Sequence, residues 1–196
     1  MREGEHERRQ RFNALFASYS SDIVAYCGWR AASASDAQDA AAEVFLIAWR
    51  RLDELPEGDG ARVWLYATAR RVLANQWRSS RRQAALRERL ALDGSPVVQE
   101  PSPSGGEDLL VHEALGRLRP RDREVLLLSE WEDLSPAQIA VVLGCGAMTA
   151  RGRLHRARRR FRTAFEGLVA RDAGEQPERD ASEVPTTPVP SIRSLR

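Results

Sequence analysis

The sequence predicts an all-α protein of two small helical domains joined by a flexible linker. In several segments apolar residues recur at three- and four-residue steps, the spacing of one helix face. A short helix, a glycine-bearing turn and a longer helix are predicted across 134–162. Residues 93–107, DGSPVVQEPSPSGGE, have the composition of a linker. We therefore expect domains at 8–82 and 108–168, a linker at 83–107, and a disordered tail at 169–196.

The first domain is predicted to contain three helices. Apolar residues from Phe12 to Cys27 mark the first, and the second runs from Asp36 to about Leu52 with Ser35 as its N-cap. A loop at 56–60 precedes the third helix, which is predicted from Ala61 to Arg82.

Two outward faces of this domain carry candidate binding residues. The second helix presents Asp39, Glu43 and Leu46 on one side, which can equally be plain surface. The third presents a stripe with Trp77 nearby, and arginines interleaved with an aromatic and an amide suit single-stranded nucleic acid. A solvated basic face with Trp77 in the core explains that pattern as well. The stripe consists of Arg71, Asn75, Arg78 and Arg82.

The second domain is predicted to end in a helix-turn-helix. Ser135 is a good N-cap, Pro136 suits the first helical position, and Gln138 completes a capping box. The segment Gly144-Cys145-Gly146 supplies a tight turn, and a helix follows from about Ala147. Such a second helix normally lies in the DNA major groove. The alternative is an arginine-rich surface helix whose charges are only solvated.

The predicted recognition helix contains seven arginines between residues 147 and 162. The early ones, Arg151 and Arg153, lie where a recognition helix contacts base edges. The later ones are expected to reach phosphates: Arg158, Arg159, Arg160 and Arg162.

Several strings, in order and spacing, resemble one family. They are DAQDAAAEVFLIAWRRL at 36–52, ARVWLYATAR at 61–70, LRPRDREVLLLSEWEDLS at 118–135 and TARGRLHRAR at 149–158. The chain resembles bacterial sigma-70 factors of the small extracytoplasmic-function group, which have regions 2 and 4 without the domain between them. Ala42, Arg71, Ala150 and Gly152 stand where the family usually has glutamine, asparagine, valine and serine.

The resemblance implies partners and a role for each surface. It implies core RNA polymerase, through the β′ clamp and the β flap, and promoter DNA as partners, and it admits an anti-sigma factor. Polymerase would bind Asp39, Glu43 and Leu46. The −10 element would contact Arg71, Asn75, Trp77 and Arg78. The −35 element would contact Thr149, Arg151, Arg153, Arg156 and Arg158.

Composition limits the other functions. Cys27 and Cys145 match no metal or redox spacing and are expected to be buried free thiols, and the three histidines are scattered. We expect no metal, no cofactor and no enzymatic activity. Without a signal peptide or a span of ~20 apolar residues, a cytoplasmic protein with no membrane insertion is expected. The rival hypothesis is a free-standing helix-turn-helix repressor or activator, which leaves the 36–52 and 61–82 patterns unused.

Overall fold

The computed structural model describes residues 2–89 and 106–175. All regular secondary structure within these ranges is helical. The chain divides into two compact units, Met1–Pro101 and Ser102–Arg196. The predicted all-α, two-domain fold is confirmed. Part of the predicted linker, 83–89, belongs to a helix, and residues 90–105 lie outside the described ranges. Within those ranges no helix is long and apolar enough to cross a bilayer.

The first unit is three helices packed on one another. They are α1 (Arg2–Gly28), α2 (Ala34–Arg50) and α3 (Asp59–Arg89), with a 3₁₀ helix at Leu52–Glu54. The Tyr26 and Tyr66 rings, both fully buried, meet edge to face with centroids 5.1 Å apart. The apolar side of α2 is buried as predicted, and consists of Ala37, Ala41, Val44, Phe45 and Ala48, with Ala40 added.

The start of α2 differs from the prediction. Ser33, not Ser35, is the N-cap, and its Oγ accepts a hydrogen bond from the Asp36 amide at 3.1 Å. Ser33 has the extended backbone that an N-cap requires, whereas Ser35 lies in the first helical turn. The break between α1 and α2 therefore ends two residues earlier than predicted.

The first turns of α1 hold the end of α2 in place. The guanidinium of Arg8 donates to the carbonyl oxygen of Trp49 at 2.8 Å and lies 5.3 Å from the centroid of its ring. Arg8 also pairs with Asp53, and Arg11 donates to the carbonyl oxygen of Leu55 at 3.1 Å. Carbonyls at a helix C-terminus have no partner within the helix. Arg8 and Arg11 therefore connect α1 to the C-terminal end of α2 and to the segment that follows it.

The second unit is built around one long helix. Its helices are α4 (Gly106–Gly116), α5 (Pro120–Glu130), α6 (Pro136–Leu143) and α7 (Ala147–Glu175), and the first three all pack on α7. The run Val125 to Leu128 is buried on α5, as predicted. The buried line of α7 consists of Ala150, Leu154, Ala157, Phe161, Phe165 and Leu168.

The helix-turn-helix follows the sequence prediction closely. Gln138 N donates to Ser135 Oγ at 3.3 Å, and Ser135 N donates to Gln138 Oε1 at 2.8 Å, which confirms the capping box. Gly144 ends α6 in the left-handed region at φ 64°, where a Cβ would be strained. The helix α7 continues to Glu175, seven residues past the predicted end at Leu168, so residues 169–175 are helical and not a disordered tail. The rest of that predicted tail, 176–196, lies outside the described residues.

Candidate nucleic-acid interface

The outward side of α2 carries the residues predicted to bind polymerase. Asp39, Glu43 and Leu46 recur at steps of four and three, so they share one line on the helix. All three are exposed, and Leu46 keeps 47% of its accessible surface. Two carboxylates beside an exposed leucine give this surface both negative charge and an apolar group that a partner could contact. The buried side of α2 against α1 and α3 holds this line outward.

The outward stripe of α3 is also present. Arg71, Asn75, Arg78 and Arg82 are all exposed. Arg78 donates a hydrogen bond to Oδ1 of Asn75, which keeps these two side chains together. The stripe lies on one side of α3 because its residues are three and four apart. It presents guanidinium groups and an amide to the outside.

The environment of Trp77 excludes the core interpretation for that residue. Its side chain is 62% exposed, and the Arg81 guanidinium lies 4.7 Å from its ring centroid. Trp77 lies about 100° around the helix from Arg78, so it is not part of the stripe itself. Arg81 lies four residues from Trp77 and three from Arg78, and so lies between them on the helix surface.

Arg81 was missed in the sequence analysis. In the sequence, Arg81 follows Trp77 by four residues within the predicted helix, and this spacing is the pattern that could have identified it. Such a pair forms a cation–π contact at helical spacing.

The first half of α7 carries most of the predicted −35 residues. Thr149, Arg151 and Arg156 are exposed, and Arg153 is half-buried. They follow closely after the turn at Gly144, so they lie at the N-terminal end of α7. In this motif, that end of the second helix enters the major groove. Gly152 lies among them, and a Cβ added there would meet only the Arg156 Nη1 atom, at 3.5 Å. The backbone of α7 is therefore open at Gly152.

The later arginines of α7 do not form one phosphate-facing group. Arg158 donates to Oε1 of Glu130 at 2.6 and 2.9 Å and to Oγ of Ser129 at 3.2 Å. Arg160 pairs with Asp122, whose side chain is only 9% exposed. Both acids lie on α5, and a buried carboxylate needs a cationic partner. Arg158 and Arg160 therefore bind α5 in this structure, which departs from the expectation that they are free to reach phosphates.

Arg159 and Arg162 remain exposed, as expected for phosphate-binding residues. Arg159 lies on the side of α7 away from its buried line, since 100° per residue places it nearly opposite Phe161 and Leu154. All four of the later arginines are thus exposed, but Arg158 and Arg160 are paired with acids of α5.

The cysteines and possible metal ligands add no further site. Cys27 is buried and Cys145 only half-buried, and both are free thiols. Across residues 2–89 and 106–175 no group of three or more His, Cys, Asp or Glu is arranged to hold a metal ion.

Taken together, a helix-turn-helix with a basic second helix and a separate basic and aromatic helix face define a class of helical DNA-binding protein. Two family matches make that class specific. Residues 15–83 match the family described as Sigma-70 region 2, and residues 108–161 match Sigma-70, region 4.

Similar proteins agree with these matches. The chain is 31% identical over 137 residues to the ECF RNA polymerase sigma factor BldN of Streptomyces coelicolor, covering 68% of this chain and 52% of that protein. It is 28% identical over 158 residues to the ECF sigma factor SigL of Mycobacterium tuberculosis, covering 79% of this chain and 89% of SigL.

The fold is shared with a solved sigma factor. The structure of the sigma factor RpoE in complex with the anti-sigma factor NepR from Bartonella quintana superposes with a TM-score of 0.58. That match covers 85% of this chain and 98% of the other at 22% identity, a level that indicates a common fold. The chain belongs to the sigma-70 family of RNA polymerase sigma factors, in its extracytoplasmic-function group.

Proposed function

We propose that this chain recruits core RNA polymerase through α2 and directs it to promoters whose −10 and −35 elements contact α3 and α7. The observation that carries the proposal is the exposed early face of α7, where Thr149, Arg151 and Arg156 lie just after the turn of the helix-turn-helix. The α3 stripe and the α2 line give the first unit two further surfaces, one basic and one acidic with an exposed leucine.

The chain acts, in this proposal, as a specificity subunit in the cytoplasm and has no catalytic activity of its own. Phosphodiester bond formation belongs to the polymerase. A sigma-family structure that contains an anti-sigma factor supports the same class of partner for this chain.

Run-off transcription tests the proposal directly. Core polymerase with the purified chain is expected to start transcripts at defined positions on genomic fragments, and core polymerase alone is not. The chain alone is expected to bind the same promoter duplexes weakly. Tight binding without polymerase, combined with no transcript, would favour the free-standing repressor or activator instead.

The α2 surface yields a prediction about recruitment. Glu43→Arg is expected to weaken core polymerase binding by about 1–2 kcal/mol, because it places a cation where an acidic contact is proposed. The fold should be retained, since Glu43 is exposed. Binding of a labelled chain to core polymerase, measured by fluorescence anisotropy, gives the affinity.

Glu57→Arg is the matched control for that measurement. It makes the same charge change at an exposed position outside α2 and should leave the affinity nearly unchanged. Equal losses in the two variants would mean that net charge, and not the α2 surface, determines binding.

The exposed Trp77 yields a prediction about strand opening. Trp77→Ala is expected to weaken capture of unpaired DNA by about 1–2 kcal/mol, the contribution of stacking one base on an aromatic ring. Holoenzyme affinity for an intact duplex should change little. Transcription from a template already unpaired at the −10 element should recover part of the loss, since the cost of opening is removed. A loss confined to intact-duplex binding would contradict this role.

A further inference from the structure

The recognition helix begins with an exposed methionine. Met148 is the second residue of α7, and the other methionine of the chain is Met1. At 75% exposure, Met148 is more exposed than any other large apolar side chain among the described residues. A single exposed apolar residue is common on protein surfaces and by itself indicates nothing. Its position and its contact are what make it informative.

Met148 points away from the core of the second unit. Successive residues turn by about 100°, so Met148 lies on nearly the opposite side of α7 from the buried Ala150 and Ala157. The next residue along that outer line, four positions later, is Gly152. Because Gly152 has no side chain, it adds no cover, and Met148 stays 75% exposed even with Arg151 beside it. The apolar end of Met148 is therefore free to meet a partner that approaches the outer side of α7.

The sulfur of Met148 contacts Arg151, which is predicted to read a base. Arg151 Nη1 lies 3.7 Å from Met148 Sδ, within hydrogen-bond distance for sulfur. A thioether is a weak acceptor and a flexible, polarisable apolar group at the same time. The pair therefore presents a guanidinium and a methyl group side by side at the start of the helix.

We propose that Met148 reads the C5 methyl of one thymine in the −35 element, next to the base contacted by Arg151. The inference rests on the proposed function of α7 in promoter binding. Residues at the N-terminal end of a recognition helix contact base edges, and in the major groove thymine alone presents a methyl group. The methionine supplies apolar readout at a position that the charged residues of the helix cannot read.

Single replacements of thymine by deoxyuridine test the inference, because each removes one methyl group and leaves base pairing intact. Holoenzyme made from core polymerase and the full chain first selects duplexes from a library randomised across the −35 region. In the preferred duplex, every thymine of that element on either strand is then replaced in turn. Wild-type holoenzyme is expected to lose about fourfold in affinity at one thymine, the effect of removing one methyl group that the complex buries.

The variants identify the residue that senses the methyl group. Met148→Ala should bind the thymine and deoxyuridine duplexes equally at that position. Met148→Leu should keep the preference, because leucine retains an apolar end without the sulfur. Val169→Ala removes an exposed apolar side chain near the other end of α7 and should reproduce the wild-type profile.

Two results overturn the inference while leaving the proposed function intact. One is a selected −35 element in which no thymine shows a methyl effect, and the other is an undiminished effect in Met148→Ala. A wild-type holoenzyme that selects no sequence at all overturns the proposed function, and the inference with it.

Discussion

Arg160→Ala is expected to destabilise the second unit by about 2–3 kcal/mol. Removing one partner of a buried ion pair typically costs about 3–5 kcal/mol because the other charge stays buried alone. Here Asp122 is the buried partner, with a side chain 9% exposed, while Arg160 is 44% exposed. Asp122 also lies in the first turn of α5, where the helix dipole favours a carboxylate. These two facts place the expected cost below the full range.

Arg159→Ala is the matched control for that prediction. It removes the same side chain one residue earlier from an exposed position and should cost no more than about 0.5 kcal/mol. Hydrogen exchange of the amides in α5 and α7, measured in the full chain, reports the stability of this unit separately from the first. Adding Asp122→Asn to Arg160→Ala should recover part of the loss, since it removes the unpaired charge. Equal stability of the two single variants would show that the Arg160–Asp122 pair contributes nothing measurable.

The difference between these neighbouring arginines could not be predicted from the sequence. Arg160 is 38 residues from Asp122, and Arg158 is 28 residues from Glu130. Helical spacing identifies contacts three or four residues apart, and these contacts depend on how α5 crosses α7. The sequence therefore predicts a basic helix, but not which of its charges are neutralised by the fold.

Features set by local interactions were predicted well. The capping box of Ser135 and Gln138 and the left-handed Gly144 depend on residues within one turn, and both are present. The predicted N-cap of α2 was wrong because two candidate serines, Ser33 and Ser35, lie two residues apart. Composition does not decide between them; the backbone conformation of the turn before α2 does.

The sequence also did not decide whether a single aromatic residue lies on the surface or in the core. Tryptophan occurs in both places, so the pattern around Trp77 allowed either one. The structure exposes it beside Arg81. The roles of the α2, α3 and α7 surfaces in binding stay predictions, because they depend on partners and not on the fold alone.

Arg151→Ala is expected to change which −35 sequence the holoenzyme prefers. Arg151 is exposed in the second turn of α7, at the end that contacts base edges. A bidentate arginine–guanine contact contributes about 1–3 kcal/mol to discrimination, so affinity for the preferred element should fall by roughly five- to 150-fold. Variants at one base pair of the element should then bind almost as well as the original.

Arg159→Ala should behave differently in the same assay. Arg159 lies eight residues later, about 12 Å further along the helix axis, where only phosphates are within reach. Its loss should weaken all −35 sequences alike and reduce the slope of log affinity against log salt by about one unit. The measurement is the affinity of each holoenzyme for a panel of single-base −35 variants at several salt concentrations. A uniform loss across the panel for Arg151→Ala would place that residue on the phosphate backbone, because only a contact to a base edge makes the cost depend on sequence.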